Sequence, residues 1–98
     1  HALRLARLDA ELNGLWQQST RLHAAALAFR TESLAGSREL TRIARAAYQA
    51  GEGGVLELID AFRTELDTEL LSLELDYRAR LARIELDQTA GVSPHEHE

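Results

Sequence analysis

The stretch VLELIDAFRTELDTELLSLELDYRARLARIELDQTA, residues 55–90, decides the fold. It contains neither proline nor glycine, and its apolar residues recur at helical spacing. One stripe is Val55, Ile59, Phe62, Leu66, Leu70, Leu73, Tyr77, Leu81 and Ile84. A second is Ala61, Thr64, Thr68, Leu71, Leu75, Ala79, Ala82 and Leu86. At about 100° per residue the two stripes fall on nearly opposite sides of a helix. Between them run two charged stripes, one of Arg63, Asp67, Glu74, Arg78 and Glu85, the other of Glu65, Glu69, Asp76, Arg83 and Asp87. A helix with one apolar face packs on one layer. A helix with two apolar seams and two polar edges packs between two neighbours, like a stave in a wall. An interior helix of an ordinary bundle, with long side chains reaching to water at its margins, gives the same pattern.

Working outward toward the N-terminus, Gly51-Glu52-Gly53-Gly54 interrupts the helical pattern. Gly51 is placed to end a preceding helix in the left-handed conformation. A connection this short makes the flanking helices antiparallel neighbours. Glu52 and Glu57 fall near the start of the second helix, where the helix dipole favours acids. Residues 2–50 read as one long helix. Leu8, Leu12, Leu15, Ser19, Leu22, Ala26, Phe29, Ser33, Gly36, Leu40, Ile43 and Ala47 follow each other by alternating steps of four and three. That is a heptad seam free of charge, with small residues in its middle that admit a close partner. A narrower face carries Ala6, Ala10, Ala24, Ala28, Ala35 and Ala46, which serve either helix propensity alone or a second close helix. Trp16 borders the seam and is expected at a helix interface. His23 has no partner four residues away with which to complete a metal site. Gly91 is expected to end the second helix and Ser93-Pro94 to prevent its continuation, leaving residues 92–98 as a solvated tail.

Composition agrees with an all-α domain of one hairpin. Of 98 residues, 45% are hydrophobic and only 5% aromatic, so the core is of Leu, Ile and Ala. A lone hairpin of this size buries little of its surface and is marginal, which predicts association or membership of something larger. With no cysteine there is neither a disulfide framework nor a thiolate metal site. No run reaches membrane-spanning length, and no leader sequence is visible; for an exported parent it would lie outside this chain. The net charge is −5, and all 11 basic residues are arginine. Scattered arginines on an acidic chain argue against nucleic acid as a partner.

The stretch from Tyr48 to Gly91 resembles the C-terminal hairpin of the outer-membrane factor family, the TolC-like ducts of tripartite efflux systems. The residues that carry the resemblance are Tyr48-Gln49-Ala50-Gly51-Glu52, then Leu56-Glu57-Leu58-Ile59-Asp60-Ala61 with Arg63-Thr64, then Tyr77, Leu81, Ile84-Glu85 and the closing Ala90-Gly91. In that family a tyrosine with a glycine three residues on marks the periplasmic tip, and a Leu-Asp-Ala-x-Arg-like run opens the returning helix. Residues 1–47 match only as a long helix of suitable length. The Gly51-Glu52 pair and the Ile84-Glu85 ending are similar to the heavy-metal cation branch.

The resemblance implies a homotrimeric duct in the outer membrane whose hairpins line a hollow periplasmic helical barrel. It implies a passive conduit for substrates, heavy-metal cations in the branch just named, driven by an inner-membrane pump. Its tip, here Tyr48, Gly51, Glu52, Gly53 and Gly54, would dock a periplasmic adaptor protein. Tyr48, Glu57 and Asp60 would contribute to a gate, Asp60 at an acidic position that in some members helps hold the closed state. Gly53-Gly54 stands where many members carry polar or basic residues, and Phe62 where glutamine is common. No barrel strands and no second hairpin are present in this chain, so it conducts nothing by itself.

The residues offer little chemistry of their own. Glu65 with Glu69, and Asp60 with Arg63 and Asp67, have the spacing of solvated charge patterning on a helix rather than of paired catalytic carboxylates. No enzyme activity and no cofactor are expected. His95 and His97, with Glu96 and Glu98, could ligate a divalent cation, but a terminal tail beyond Pro94 lacks a rigid frame. The alternative reading is a free-standing hairpin that dimerises into a four-helix bundle and scaffolds a partner.

Overall fold

The structure, a computed structural model, describes residues 2–92. The chain is an all-α antiparallel hairpin of two long helices, and among the described residues there is no strand. The first arm comprises α1 (Ala2–Ala28), a π-helical segment (Phe29–Leu34) and α2 (Ala35–Gln49), running without interruption. The second arm is α3 (Val55–Val92). Gly91 therefore does not end the second helix. The helix passes through it, since a glycine costs a helix only about 1 kcal/mol and breaks nothing by itself.

Among the described residues the chain divides into two compact units, residues 2–25 with 75–92 and residues 26–74. In the first, Leu8, Leu12, Leu15 and Leu22 are half-buried and Ser19 is buried, while α3 contributes buried Ala79 and Ala82 and half-buried Leu75, Leu86 and Thr89. Apart from Thr89, these are the residues of the expected seams. Exposed His23 donates through Nδ1 to the carbonyl of Ser19, 2.9 Å away. Trp16 is 57% exposed, so whatever interface it serves is not the one inside this unit.

In the second unit the seam departs from the alternation read along the sequence. Ala26 is buried and Phe29 half-buried as expected, but the next buried residue is Leu34, followed by Ser37, Thr41 and half-buried Ala44. Ser33, Gly36, Leu40 and Ile43, which continue the uninterrupted heptad, are exposed. The cause is the π-helical turn. Its i→i+5 bonding accommodates one surplus residue, so the step from Phe29 to Leu34 is five rather than four and the seam positions through Ala44 move on by one, while Ala47, next to the tip turn, is half-buried as the heptad expects and Tyr48 is exposed.

Opposite it on α3 stand Leu58, Ala61, Glu65, Thr68 and buried Ser72. Their steps of three and four make an inner seam one residue away from the Val55–Leu73 stripe. Glu65, expected at a watered edge, is half-buried in this seam, and Thr64 and Leu71, expected in it, are exposed. The Thr41 hydroxyl fixes the register, lying 3.1 Å from the Ser37 carbonyl of its own helix and 3.2 Å from the Ala61 carbonyl across the hairpin. The Ser37 hydroxyl donates to the Leu34 carbonyl at 3.0 Å. Bonded in this way, buried hydroxyls cost little.

Candidate functional site: the tip and the outward faces

The turn between the arms is built by backbone bonds. Gly51 has φ +74°, the left-handed conformation that a side chain disfavours. The Gly51 N–H donates to the Tyr48 carbonyl at 3.1 Å, and the Glu52 N–H to the Ala47 carbonyl at 2.8 Å. Together they form the paired closure of a Schellman motif. The Gly53 N–H adds a second bond to the Ala47 carbonyl, 3.0 Å long. A Cβ placed on Gly53 would stand 3.0 Å from the Ala47 Cβ, a close approach that a side chain there would accommodate only by shifting Ala47 by a few tenths of an ångström. Gly54 then offers its carbonyl to the Leu58 N–H at 3.3 Å, opening α3.

The expected docking residues are thus brought together at one end of the second unit. Tyr48, Gly51, Glu52 and Gly54 are exposed and Gly53 is half-buried. Of the residues expected at a gate, Glu57 and Asp60 lie on the first two turns of α3 and are exposed, as is Tyr48. Arg45, which no sequence pattern singles out, has its guanidinium carbon 5.1 Å from the centre of the Phe62 ring. The contact holds a cation over an aromatic face on one edge of the hairpin. On α2, Glu39 takes a forked pair of bonds from Arg42, with Nη2–Oε1 at 2.6 Å and Nε–Oε2 at 3.0 Å. These bonds hold the Glu39 carboxyl below its ordinary pKa and raise that of Arg42.

The large apolar side chains are outside. In the second unit Leu40, Ile43, Val55, Ile59, Phe62, Leu66, Leu70 and Leu73 are all exposed, and in the first Tyr77, Leu81 and Ile84 are. What the hairpin buries most deeply is small: Ala26, Ser19, Ser37, Thr41, Ser72, Ala79 and Ala82, with Leu34 the one large member. The stripe from Val55 to Ile84 is therefore the outward one, and the alanine-rich stripe is close to the inward one.

Among the described residues no group of three or more His, Cys, Asp or Glu is placed to hold a metal ion, and no helix is long and apolar enough to cross a membrane. His95 and His97 lie outside the described residues. No family model, no curated protein and no solved structure matches this chain.

Proposed function

We propose that the hairpin is a stave in the helical wall of an outer-membrane export duct, with its tip as the docking point for a periplasmic adaptor. The supporting observation is the division of labour on α3. Ala61, Thr68, Ser72, Ala79 and Ala82, with half-buried Leu58, Leu75 and Leu86, pack against the other arm, while Val55, Ile59, Phe62, Leu66, Leu70, Leu73, Tyr77, Leu81 and Ile84 stand exposed. A helix that has satisfied one seam within its own chain and keeps a second, larger one belongs between two neighbours. The Tyr48-to-Gly54 turn, with the resemblance it carries, supplies the rest of the reading. The wall's role is passive, as a conduit, and the export of heavy-metal cations follows from the branch that Gly51-Glu52 and Ile84-Glu85 resemble.

The same outward stripe also suits a dimeric scaffold module, and the tip distinguishes the two. Light scattering of the chain with and without a candidate adaptor hairpin is the test. The duct reading expects a complex that is lost when Gly51 and Asp60 are replaced by bulky or oppositely charged residues. A homodimer indifferent both to the adaptor and to tip substitution would replace it with the scaffold reading.

A further inference from the structure

The second unit carries two outward apolar faces, and their registers match each other. Gly36, Leu40 and Ile43, all exposed, each precede by one residue the inner positions Ser37, Thr41 and Ala44. Ile59, Phe62 and Leu66 each follow by one residue the inner positions Leu58, Ala61 and Glu65, and Val55 continues that row. One step back on one arm and one step forward on its antiparallel partner turn to opposite edges of the hairpin. Arg45 confirms the geometry. It follows Ala44 by one residue, and its cation reaches Phe62, on the α3 edge.

We propose that these two edges bind each other between copies of this chain, head to tail and with tips level. The proposal goes beyond the wall reading above, in which the parent's second hairpin is the expected neighbour, and assigns the contact to a second copy of this chain. The Thr41–Ala61 bond sets which residues stand at equal height. In that register Leu40 of one copy stands level with Phe62 of the next, Ile43 with Ile59 and Gly36 with Leu66. Leu66 faces the small Gly36, and both rows advance by the steps of three and four that let side chains interdigitate. Charge agrees as well. Glu39 lies on the outer rim of the Leu40 face, and the Arg45 cation is parked on Phe62, the residue that Leu40 would cover. The incoming Glu39 therefore arrives beside Arg45 and shares its carboxylate between Arg45 of the next copy and its own Arg42. Because the two faces differ, the contact is heterologous. It continues from copy to copy instead of ending at a dimer.

The chain has no cysteine, so paired single-cysteine variants are a clean test. Leu40→Cys and Phe62→Cys change exposed positions, and circular dichroism checks that each variant keeps its helix content. Mixed and oxidised, they should give mainly the 40-to-62 disulfide between chains, with little product from either variant alone. Glu39→Arg should weaken association roughly fivefold in sedimentation velocity, and Arg45→Glu should restore it. A Phe62→Cys homodimer forming as readily as the mixed product would overturn the proposal in favour of a two-fold pair. A chain monomeric at several hundred micromolar would overturn it too, and would assign the edges to a different protein. The duct reading fails separately: a head-to-tail assembly that ignores the adaptor keeps this contact and removes the duct.

Discussion

Replacing Leu34 and Leu40 by alanine, one at a time, separates the seam set by the π-helical turn from the one that an uninterrupted heptad would form. Leu34 is 5% exposed and Leu40 is 61% exposed. Truncating a buried leucine loses its transfer free energy and leaves a cavity, which costs 2–5 kcal/mol in general; here about 2–3 kcal/mol is expected, because a two-helix seam is open at its flanks and can partly collapse. Leu40→Ala removes a side chain that water already surrounds and should change stability by no more than about 0.5 kcal/mol. For a domain of this length 1 kcal/mol corresponds to about 4–8 °C in Tm. Leu34→Ala should therefore melt on the order of 10–15 °C below the parent, while Leu40→Ala melts within a few degrees of it. The assay is circular dichroism at 222 nm, a wavelength that reports helix, read at dilutions where Tm no longer depends on concentration, so that association through Leu40 does not contribute. A larger loss from Leu40→Ala than from Leu34→Ala under those conditions would refute the reasoning, because the uninterrupted heptad would then be the true seam.

Deleting Glu32 removes the surplus residue of the π-helical turn and should leave helix content and Tm close to those of the parent, whereas deleting Arg38 turns Thr41 and Ala44 out of the seam and should lower Tm well beyond that; thermal melts of the two decide it. Gly51→Ala forces a side chain into φ +74° and should cost about 1–2 kcal/mol, while Gly54→Ala, which meets open space, should be near neutral in a urea titration. Glu39 is held below its ordinary pKa by the Arg42 bonds, so its contribution is present above the usual carboxylate range and is lost as pH falls through the lowered value. Titration followed by carboxyl-carbon NMR should place Glu39 below an unpaired glutamate, and Arg42→Ala should bring it back up.

Much of this fold is legible before any coordinates. The break at Gly51 and the antiparallel return follow from glycine chemistry and loop length, and Leu8 to Phe29 follow from periodicity alone. The second half of the first arm was misread for a physical reason. Ser33, Gly36, Leu40 and Ile43 continue the heptad and are the more apolar of two candidate seams, so a rule that places apolar residues inside chooses them. The seam that forms, Leu34, Ser37, Thr41 and Ala44, is smaller and more polar. It succeeds because Ser37 and Thr41 satisfy their hydroxyls on helix carbonyls. A signal was present in the five-residue gap between Phe29 and Leu34, but nothing in one sequence marks such a gap as a π turn. On α3 both stripes were visible, yet Glu65 in the inner seam was not. Its side chain was assigned to water by its charge, although its position is set by the step of three and four from Leu58 and Ala61. The contact between Arg45 and Phe62 joins residues on different arms, so it needs the register, and the register needs the π turn.

The choice of small residues for the inner seam bears on what the hairpin is for. Alanine and serine release little apolar surface from water, so the most deeply buried positions of the arm-to-arm seam, mostly Ala, Ser and Thr, contribute less than leucines would. Many of the large side chains that could have stabilised an isolated hairpin are placed where nothing in the described residues covers them. Each half-exposed leucine or isoleucine on those edges retains roughly 1 kcal/mol of burial still to be gained. A chain selected to stand alone would exchange the two sets, since contiguous apolar faces on a monomer carry a risk of aggregation. The arrangement is consistent with a hairpin whose arms are held close by small residues and whose stability is completed by neighbours. It also explains why the π turn is tolerated. Adding one residue between Phe29 and Leu34 turns Leu40 and Ile43 outward and keeps Ser37 and Thr41 within, so the turn itself produces the second face.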